Sequence, residues 1–595
     1  ESRTGGYCGL YGDVVNLTHP LGMVDDNLMK RYSDNVKIFA NAYVSVELMK
    51  GLKYKLNLTP DFQFYRYNSY EGLFDFGLAK HDITAVTEQQ TRTRNILVEN
   101  LLTFDRTFGD HKVSALVGYT YQDSRYRYMQ GSGQGMPTGI TEIDAASQGL
   151  AVSGNSSRSV LTSILGRAFY SYKNRYLLTA TIRRDGSSKF GSNYRYGNFP
   201  SVSVGWNIAE EDFVKNSVSW LDQLKLRGGY GVLGNQEIDN YQYVSVVTTG
   251  INYPDGKSGL IQGAFPKTFA NPDIKWEETA MTNVGIDFIA LCNRLTLTAD
   301  WYVKNTKDIL LNVPIPISTG GANDPIRNAG KIRNQGFEFN LGWNESLNKD
   351  LSYGVSFLGT YNKNEVVEMG AESQVITGGT IHGGTYTSRT LAGYPIGGFW
   401  LIPTDGYFNS TEEVQAHQKD GVLIQPSAEP GDIRFKDTNN DGTINDEDRV
   451  YCGSPFPKFT YSINGNITYK NVDFSIGFQG VTGNKIYNAT KLELTDVTRG
   501  TNYLASTLDY WTPENQNASS PRLIWTDPNR NARSESDRYL ESGSSGRLYL
   551  AYGLVSWLCP ESSCVCQCGE SLYDLLLFGV YAGREFFRCI FSWFR

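Results

Sequence analysis

The feature that most constrains this chain is a strict alternation of apolar and polar residues, which recurs in long pieces through most of its length. Every second side chain is apolar in Ser201–Ile208, Leu295–Val303, Phe337–Asn344, Tyr461–Tyr469 and Val472–Gln479. Because successive side chains of a strand point to opposite faces, this pattern predicts strands with one apolar face. The chain is therefore predicted to be all-β.

The connections between these segments separate the two architectures that alternation allows. Short and long connections alternate, as in an up-and-down barrel, where successive connections lie at opposite rims. Greek-key sandwiches have no reason to keep this parity. The predicted fold is a transmembrane antiparallel up-and-down β-barrel with its apolar face toward lipid and its polar face inward. The connections, in order, are Tyr172–Arg175, Arg183–Asn198, Ala209–Gln223, Leu233–Thr282, Leu291–Arg294, Asn305–Gln335, Glu345–Lys349, Asn362–Pro457, Lys470–Asn471 and a long run from Val481.

The alternation is weaker before Tyr172. Val36–Leu58, Ile96–Arg106 and His111–Gln122 are predicted as strands, and the Gly- and Ser-rich stretch Tyr126–Ser157 is predicted as a loop. Aromatic residues near the ends of the later strands fit the interfacial girdles of a membrane barrel, although each ring taken singly fits a sandwich core equally well.

Composition argues against several classes of function. The net charge is −7 and the sequence shows no basic cluster, which argues against a nucleic-acid partner. No apolar run is long enough for a transmembrane helix, and barrel strands leave no such signal. The five histidines form no HxxxH pair, and GxSxG, P-loop and dinucleotide-binding motifs are absent, so the chain is predicted not to be an enzyme. A carboxylate pair for glycoside cleavage is defined by distance in space and stays open.

The segment Gly431–Lys458 carries a cation-loop pattern just before a predicted strand pair. Alternate positions supply hard oxygen donors in the ligand order of a twelve-residue calcium loop, with Gly442 at the sharp turn and Ile444 as an apolar anchor. A bound Ca²⁺ would be structural and would fix the longest outer loop. An Asx-rich turn without an ion is the alternative, because the last ligand position lacks the usual Glu and no amphipathic helix flanks the loop. The predicted ligands are Asp437, Asn439, Asp441, Thr443, Asn445 and Asp448.

The longest connection also contains five aromatic residues that are candidates for contact with a ligand or a lid protein. Such rings could stack on sugar faces or anchor a protein interface, and they could equally pack the loop on itself. The five are Tyr394, Phe399, Trp400, Tyr407 and Phe408.

Several segments are more specific than generic strands. They read FPSVSVGWNIAEEDFV (Phe199–Val214), WLDQLKLRGGYGVLGNQEIDNY (Trp220–Tyr241), NPDIKWEETAMTNVGIDF (Asn271–Phe288), IRNQGFEFNL (Ile332–Leu341), AGYPIGGFW (Ala392–Trp400) and GDIRFKDTNNDGTINDEDRVYCGSPFPKFTYSIN (Gly431–Asn464). In this order they resemble the SusC/RagA family of TonB-linked outer-membrane proteins, which are TonB-dependent receptors. The resemblance implies a large barrel around a plug, a SusD-like surface lipoprotein as a lid, and capture of glycans or peptides.

The resemblance also implies parts that this sequence does not display. The family's N-terminal extension, TonB-binding segment and plug are not recognisable, so residues 1–544 are expected to be a C-terminal barrel fragment. A piece of this size would not close a barrel of roughly 22 strands unless the missing part were supplied. Coupling to the TonB complex would run through the missing N-terminal region.

The last segment, Ser545–Arg595, departs from the family and holds five of the eight cysteines. Its CVCQC run lacks the spacing of a metal site. When the codons for Cys564–Asp574 are read one nucleotide further on, they permit V-Y-V-S-A-E-N-L-Y-T, which resembles a strand near the family's C-terminus. We therefore predict that 545–595 is frameshifted sequence with no evolved fold, the alternative being a divergent cysteine-rich tail. Resequencing across codon 545 tests this.

Two functions follow from the residues and the resemblance. The first is a TonB-dependent transporter in the outer membrane of a Gram-negative, Bacteroidetes-like cell, which imports glycans, oligosaccharides or peptides together with a SusD-like lipoprotein. The second is a secreted, calcium-dependent carbohydrate-binding or adhesin β-sandwich. The second explains the cation loop but not the parity of the connections.

Overall fold

The computed structural model describes residues 21–554, with gaps at 27, 76–79, 255, 257–258, 314–323, 371–374, 382–384, 500–501 and 534. Sixteen strands form one antiparallel sheet, and from β3 onward each strand pairs with the next along the chain, while β1 and β2 both pair with β3. The strands are β1 (Met29–Phe39), β2 (Ala42–Met49), β3 (Leu52–Glu71), β4 (Ala85–Phe108), β5 (His111–Gln134), β6 (Gln148–Tyr172), β7 (Tyr176–Ser187), β8 (Tyr196–Asn207), β9 (Leu221–Asn235), β10 (Glu277–Ala290), β11 (Leu295–Lys307), β12 (Lys331–Ser346), β13 (Leu351–Glu368), β14 (Phe459–Tyr469), β15 (Val472–Tyr487) and β16 (Leu540–Leu554).

This consecutive order confirms the predicted all-β, up-and-down arrangement, and it is not the order of a Greek-key sandwich. Over the described residues the sheet is open, because β1 and β2 lie at one edge and β16 at the other. The remaining strands lie within the connections, where Ile376–Thr377, Ser388–Thr390, Gly398–Leu401 and Val450–Gly453 form a four-stranded sheet. The others form two-stranded sheets: Phe74–Asp75 with Lys80–His81, Val246–Pro254 with Leu260–Thr268, Leu310–Asn312 with Ile326–Asn328, Thr380–Ile381 with Thr385–Tyr386, Thr404–Tyr407 with Ile433–Phe435, and Gln418–Lys419 with Val422–Leu423.

Short turns close one end of the sheet. The predicted turns Leu291–Arg294 and Lys470–Asn471 are confirmed, since the flanking strands end and begin at the adjacent residues. Positive φ angles at Lys173 (52°), Asn174 (56°) and Lys470 (52°) reverse the chain within two or three residues. The longest connections lie at the opposite end of the sheet, as the parity predicted, while the medium-length connection 208–220 lies at the short-turn end.

Two predictions for the first part of the chain are wrong. Tyr126–Ser157 is not a loop, because Tyr126 pairs with Ser157 and the pairing continues outward to Gln134 and Gln148, which leaves 135–147 as the connection. Val36–Leu58 is not one strand but parts of β1, β2 and β3. The outer arms of these hairpins lie beyond the apolar stripe, so backbone hydrogen bonding persists there without apolar alternation. For the same reason β7 and β8 reach into the predicted loop Arg183–Asn198, down to the pair Gly186 and Tyr196.

The apolar face of the sheet is its exposed face. Val204 on β8 is 56% exposed and Ile182 on β7 is 59% exposed. The intervening side chains, such as Ser203 opposite Thr179, belong to the other face. A soluble sandwich would bury the apolar stripes against each other, so this arrangement supports a lipid-facing wall.

The buried apolar residues lie mainly at the long-connection end of the sheet. In the largest cluster Trp276 packs against Phe190 and Phe199, with ring centroids 5.0 and 5.3 Å apart, and Ile238 and Ile274 complete it. These residues come from two different connections and from the strand β8, so they fix these outer loops to the wall.

Helices are short and lie in the connections. No helix of the described residues is long and apolar enough to cross a membrane. The α-helices are α1 (Asp212–Lys215), α2 (Thr411–Ala416) and α3 (Ala489–Thr495), and the 3-10 turns are Gly22–Val24, Ile143–Ala145, Ile208–Glu210, Asp446–Asp448, Val497–Arg499, Ala505–Leu508 and Asp537–Tyr539.

Candidate functional site

The two connections that follow β13 and β15 fold together into one unit, here called the outer loop body and defined as the described residues of 388–453 and 488–539. Backbone and side-chain hydrogen bonds cross between the two segments. The amide of Ile402 donates to the carbonyl of Glu535 at 2.8 Å, and the hydroxyl of Thr404 donates to Asp537 Oδ1 at 2.8 Å. The two segments are therefore held as a single surface at the end of the sheet that carries the long connections.

An ion pair with a buried carboxylate joins the two segments of this unit. Asp432 is fully buried, and its carboxylate accepts from Arg522 Nε at 2.5 Å and from Arg522 Nη2 at 3.0 Å. Asn531 Nδ2 and the amide of Glu429 also donate to it, both at 2.9 Å. Four donors satisfy one buried carboxylate, which is the condition for a stable buried charge.

A buried amide continues this network. Gln425 Nε2 donates to the carbonyl of Ile433 at 3.0 Å and to Asn529 Oδ1 at 2.9 Å. Its Oε1 accepts from the amide of Phe435 at 2.9 Å. Gln425 thus replaces a strand partner along one edge of the short strand Ile433–Phe435, because it supplies both a donor and an acceptor to that edge; the other edge pairs with Thr404–Tyr407.

Three aromatic rings meet at the edge of the outer loop body. The ring of Tyr394 lies 4.8 Å from that of Trp400 and 5.1 Å from that of Tyr451, measured between centroids. Tyr394 is exposed, while Trp400 is half-buried, and Trp400 Nε1 is a buried donor with no acceptor among the described residues. Phe399 is half-buried on the same short strand and pairs with Ser388 and Gly453.

The other two predicted aromatic residues lie deeper. Tyr407 packs against the buried cluster of Ile402, Ile433 and Phe435, and burial raises the pKa of its hydroxyl. Phe408 is 0% exposed, and its ring lies 5.5 Å from that of His417, whose pKa is lowered by burial. Phe408 therefore packs the loop on itself, which is the second of the two roles that the sequence allowed.

The predicted cation loop adopts a tight turn closed by side-chain oxygens. Asp437 accepts from the amides of Asp441 (3.1 Å) and Gly442 (2.8 Å), and Gly442 has a φ of +92°. Asp441 accepts from the amide and the hydroxyl of Thr443, both at 2.8 Å. Together with the amide groups of Asn439 and Asn445, which donate to the same carboxylate at 3.0 Å, these bonds lower the pKa of Asp441 to about 2. Ile444 packs on the Ile402 cluster, which confirms its predicted role as an anchor.

The last predicted ligand is used differently. Asp448 is fully buried, and its two oxygens accept from the amides of Thr438 (2.8 Å) and Asn445 (2.7 Å). Within the described part of the chain no three His, Cys, Asp or Glu side chains lie close enough to hold a metal ion. The oxygen-donor chemistry of the loop fits a hard cation, and the ion itself remains a prediction.

An ion-pair cluster that the sequence did not indicate lies on the polar face of the sheet. Arg227 on β9 donates through Nη1 and Nη2 to Asp300 on β11, both at 2.6 Å, and through Nε to Asp287 on β10 at 3.1 Å. The three side chains come from three neighbouring strands. They make the inner face of the wall charged and hydrated, which an aqueous lumen requires.

The fold and these surfaces together define a class. Hairpin-connected strands with an exposed apolar face, a charged inner face, short turns at one end and a folded loop body at the other are the features of an outer-membrane β-barrel.

The family is shown by comparison with known proteins. The profile of the family described as TonB dependent receptor-like, beta-barrel matches residues 25–420. TonB-dependent receptor P3 of Formosa agariphila is 30% identical over 563 residues, which cover 93% of this chain and 53% of that protein. TonB-dependent receptor SusC of Bacteroides thetaiotaomicron is 33% identical over 340 residues, or 56% of this chain and 32% of that protein. The chain belongs to the TonB-dependent receptor β-barrel family and is of the SusC/RagA type, as the sequence predicted.

A solved structure agrees with the fold. The RagAB peptide transporter matches with a TM-score of 0.77 at 21% identity, covering 93% of this chain and 60% of that chain. The chain spans about half the length of the curated relatives it matches most extensively. The protein is thus an outer-membrane β-barrel protein whose relatives are receptors and not enzymes. Of the predicted frameshifted tail, residues 545–554 continue β16, and the rest lies outside the described residues.

Proposed function

We propose that the protein containing this chain imports an oligosaccharide or a peptide across the outer membrane, with a SusD-like lipoprotein covering the outer loop body and the TonB complex supplying energy. The relative named SusC and the RagAB peptide transporter support this class of cargo. The observation that carries the proposal is the outer loop body itself, which presents one folded surface at the long-connection end of the sheet, joined through an ion pair whose carboxylate, that of Asp432, is fully buried.

The aromatic group of Tyr394, Trp400 and Tyr451 is the part of this surface best suited to contact. Large rings with a polar tip give much contact area at low entropic cost, and a buried indole donor without an acceptor favours a partner that supplies one. In this proposal Trp400 and Tyr394 contact the lid protein or the cargo, while Phe408 and Tyr407 hold the loop together from below.

Uptake by cells tests the proposal. A strain that lacks the gene would be complemented with the full-length protein, and entry of labelled oligosaccharides and of labelled peptides would be measured separately with the proton gradient intact and collapsed. We expect energy-dependent uptake of one cargo class. The variant Trp400→Ala should lower it about tenfold, and Tyr469→Ala, an exposed ring at the short-turn end, should not. Uptake that is unchanged when the proton gradient is collapsed would contradict TonB coupling. Failure to take up either oligosaccharides or peptides would contradict import.

Calcium is a separate proposal for the loop 437–448. The six predicted ligands offer carboxylate, amide and carbonyl oxygens around the turn at Gly442, and a bound cation would pull together side chains that hydrogen bonds now hold. Terbium luminescence of the full-length protein, displaced by Ca²⁺, tests it. Asp441→Ala should abolish the signal, whereas Glu447→Gln, which removes a charge from the same loop at a non-ligand position, should keep it. No luminescence from the unaltered protein would leave the hydrogen-bonded turn as the whole explanation.

A further inference from the structure

Five arginines gather on one face of three neighbouring strands. Arg94 on β4 lies directly opposite Arg125 on β5, and Arg125 lies directly opposite Arg158 on β6. One step further along the sheet Arg92 lies opposite Arg127. Residues directly opposite on paired strands share a face. Strand pairing therefore builds a basic patch, here called the arginine band, from residues that are spread over 67 positions of the sequence and form no cluster there.

The band lies on the lipid side of the wall. On β5 the residues of the same parity as Arg125 begin with His111 and end, next to Arg125, with Asp123; between these two lie Val113, Ala115, Val117, Tyr119 and Tyr121. These cover about 27 Å of strand, which a tilt of about 40° reduces to about 21 Å in height, close to the roughly 25 Å apolar band of such barrels. The two tyrosines stand at the outer end of this stripe, where interfacial aromatic residues belong.

The height of the band places it at the outer edge of the lipid headgroups and just above them. Arg125 follows Tyr121 by four residues and Arg127 by six, which is about 13 and about 20 Å along the strand, or about 10 and about 15 Å above the apolar stripe. The headgroup layer extends roughly 5 to 8 Å beyond the hydrocarbon core, and long arginine side chains can reach back to it. Because the long connections continue from this end of the strands, the adjacent leaflet is the outer one.

The band is preorganised and carries excess positive charge. Asp123 accepts from Arg125 Nη2 at 3.1 Å and from Arg158 Nη2 at 3.0 Å, and this buried carboxylate holds both guanidinium groups in place. It can neutralise one of the five arginines. Arg92 and Arg127 are exposed and pair with no carboxylate of the described residues; Arg92 instead lies 5.6 Å from the centre of the Phe64 ring.

We propose that the arginine band binds the phosphate groups of phosphorylated glycolipid in the outer leaflet. Guanidinium groups match phosphate in a two-point geometry, and they are less strongly hydrated than lysine ammonium groups. The lipid chains would lie along Val117 and Ile164, which are exposed on the same face and belong to adjacent strands. In the proposed function the cargo would pass along the opposite face of the wall, so this lipid site would be separate from transport.

Lipid binding by the purified full-length protein tests the proposal. The probe is lipid A, compared with the same lipid after enzymatic removal of its phosphates, with bound lipid counted by native mass spectrometry over a range of lipid concentrations. The test variant is Arg92→Gln with Arg127→Gln, two exposed arginines whose loss leaves the Asp123 cluster intact. The matched control is Arg167→Gln with Arg183→Gln, which removes two arginines from the inner face of β6 and β7. Heat-modifiable gel mobility verifies that each variant is a folded barrel.

We expect the unaltered protein and the control to bind lipid A equally, and the test variant to bind it about 25-fold more weakly, at about fivefold for each arginine near a charged membrane surface. Removal of the phosphates should weaken binding to the unaltered protein to a similar extent. Equal binding of the two lipids, equal binding by the test variant, or an equal loss in the control would overturn the proposal. Displacement of lipid A by inorganic phosphate at matching concentrations would overturn the assignment to lipid.

Discussion

The carboxylate of Asp432 and the guanidinium of Arg522 face each other in a two-point pair, with Nε to Oδ1 at 2.5 Å and Nη2 to Oδ2 at 3.0 Å. The two residues are 90 positions apart, one in the connection after β13 and the other in the connection after β15. Because Asp432 has no exposure to water, the pair makes the order of one connection depend on the order of the other.

Removal of one partner of this pair should loosen both connections together. Arg522→Gln leaves a buried carboxylate without its cation, and such losses cost about 3 kcal/mol or more. Hydrogen–deuterium exchange of the full-length protein should show lost protection in both 388–453 and 488–539, with the strands unchanged. Asp405→Asn, which breaks an exposed pair with Arg434, should change protection little. Loss of protection in only one connection would contradict a shared loop body.

The cluster on the inner face gives a second prediction. Arg227→Met removes the cation between Asp287 and Asp300 and leaves two carboxylates close together. We expect a loss of about 2 to 3 kcal/mol in the unfolding free energy of the full-length barrel in lipid vesicles, measured by urea titration. Asp287→Asn keeps an uncharged acceptor beside Arg227 and should cost about 1 kcal/mol. A larger loss for Asp287→Asn than for Arg227→Met would show that Arg227 is not the centre of the cluster.

The turn at Asp441 should depend on pH in the absence of metal. Hydrogen bonds from Thr443 lower the pKa of Asp441 from 3.8 to about 2, so their contribution is complete above about pH 4 and is lost as the pH falls through 2. With a chelator present, pepsin should begin to cut within 437–448 only as the pH approaches 2. Asp441→Asn should be cut equally from pH 2 to pH 4. Equal cutting of the unaltered protein at pH 2 and at pH 4 would show that the Asp441 carboxylate does not hold the turn.

Much of the wall was predictable from the sequence because one face of each strand must match lipid. This requirement explains the apolar alternation in Ser201–Ile208. The short turns at Leu291–Arg294 and Lys470–Asn471 are predictable because the alternating segments end on either side of them. Beyond the apolar stripe neither face meets the hydrocarbon core of the membrane, so this requirement no longer applies. Tyr126–Ser157 reads as a loop for this reason, although its backbone is paired throughout most of its length.

The site was less predictable because its contacts join distant parts of the chain. The sequence identified Tyr394 and Trp400 as candidates but gave no sign that Tyr451 completes their group. Asp432 and Arg522 look like ordinary surface charges until the fold brings them together. The arginine band is not apparent from the sequence for the same reason. The one local sign is the spacing of two residues between Arg92 and Arg94 and between Arg125 and Arg127, which on a strand places each pair on one face.

The central claim is that the exposed apolar face of the sheet contacts lipid and the other face lines water. Spin labels at single cysteines, placed in turn at positions 202, 203, 204 and 205 of the full-length protein in vesicles, test it most directly. Labels at 202 and 204 should collide with oxygen dissolved in the membrane, and labels at 203 and 205 should collide with a water-soluble nickel complex. Preference for the nickel complex at all four positions, or shielding of 202 and 204 from both reagents, would contradict the claim.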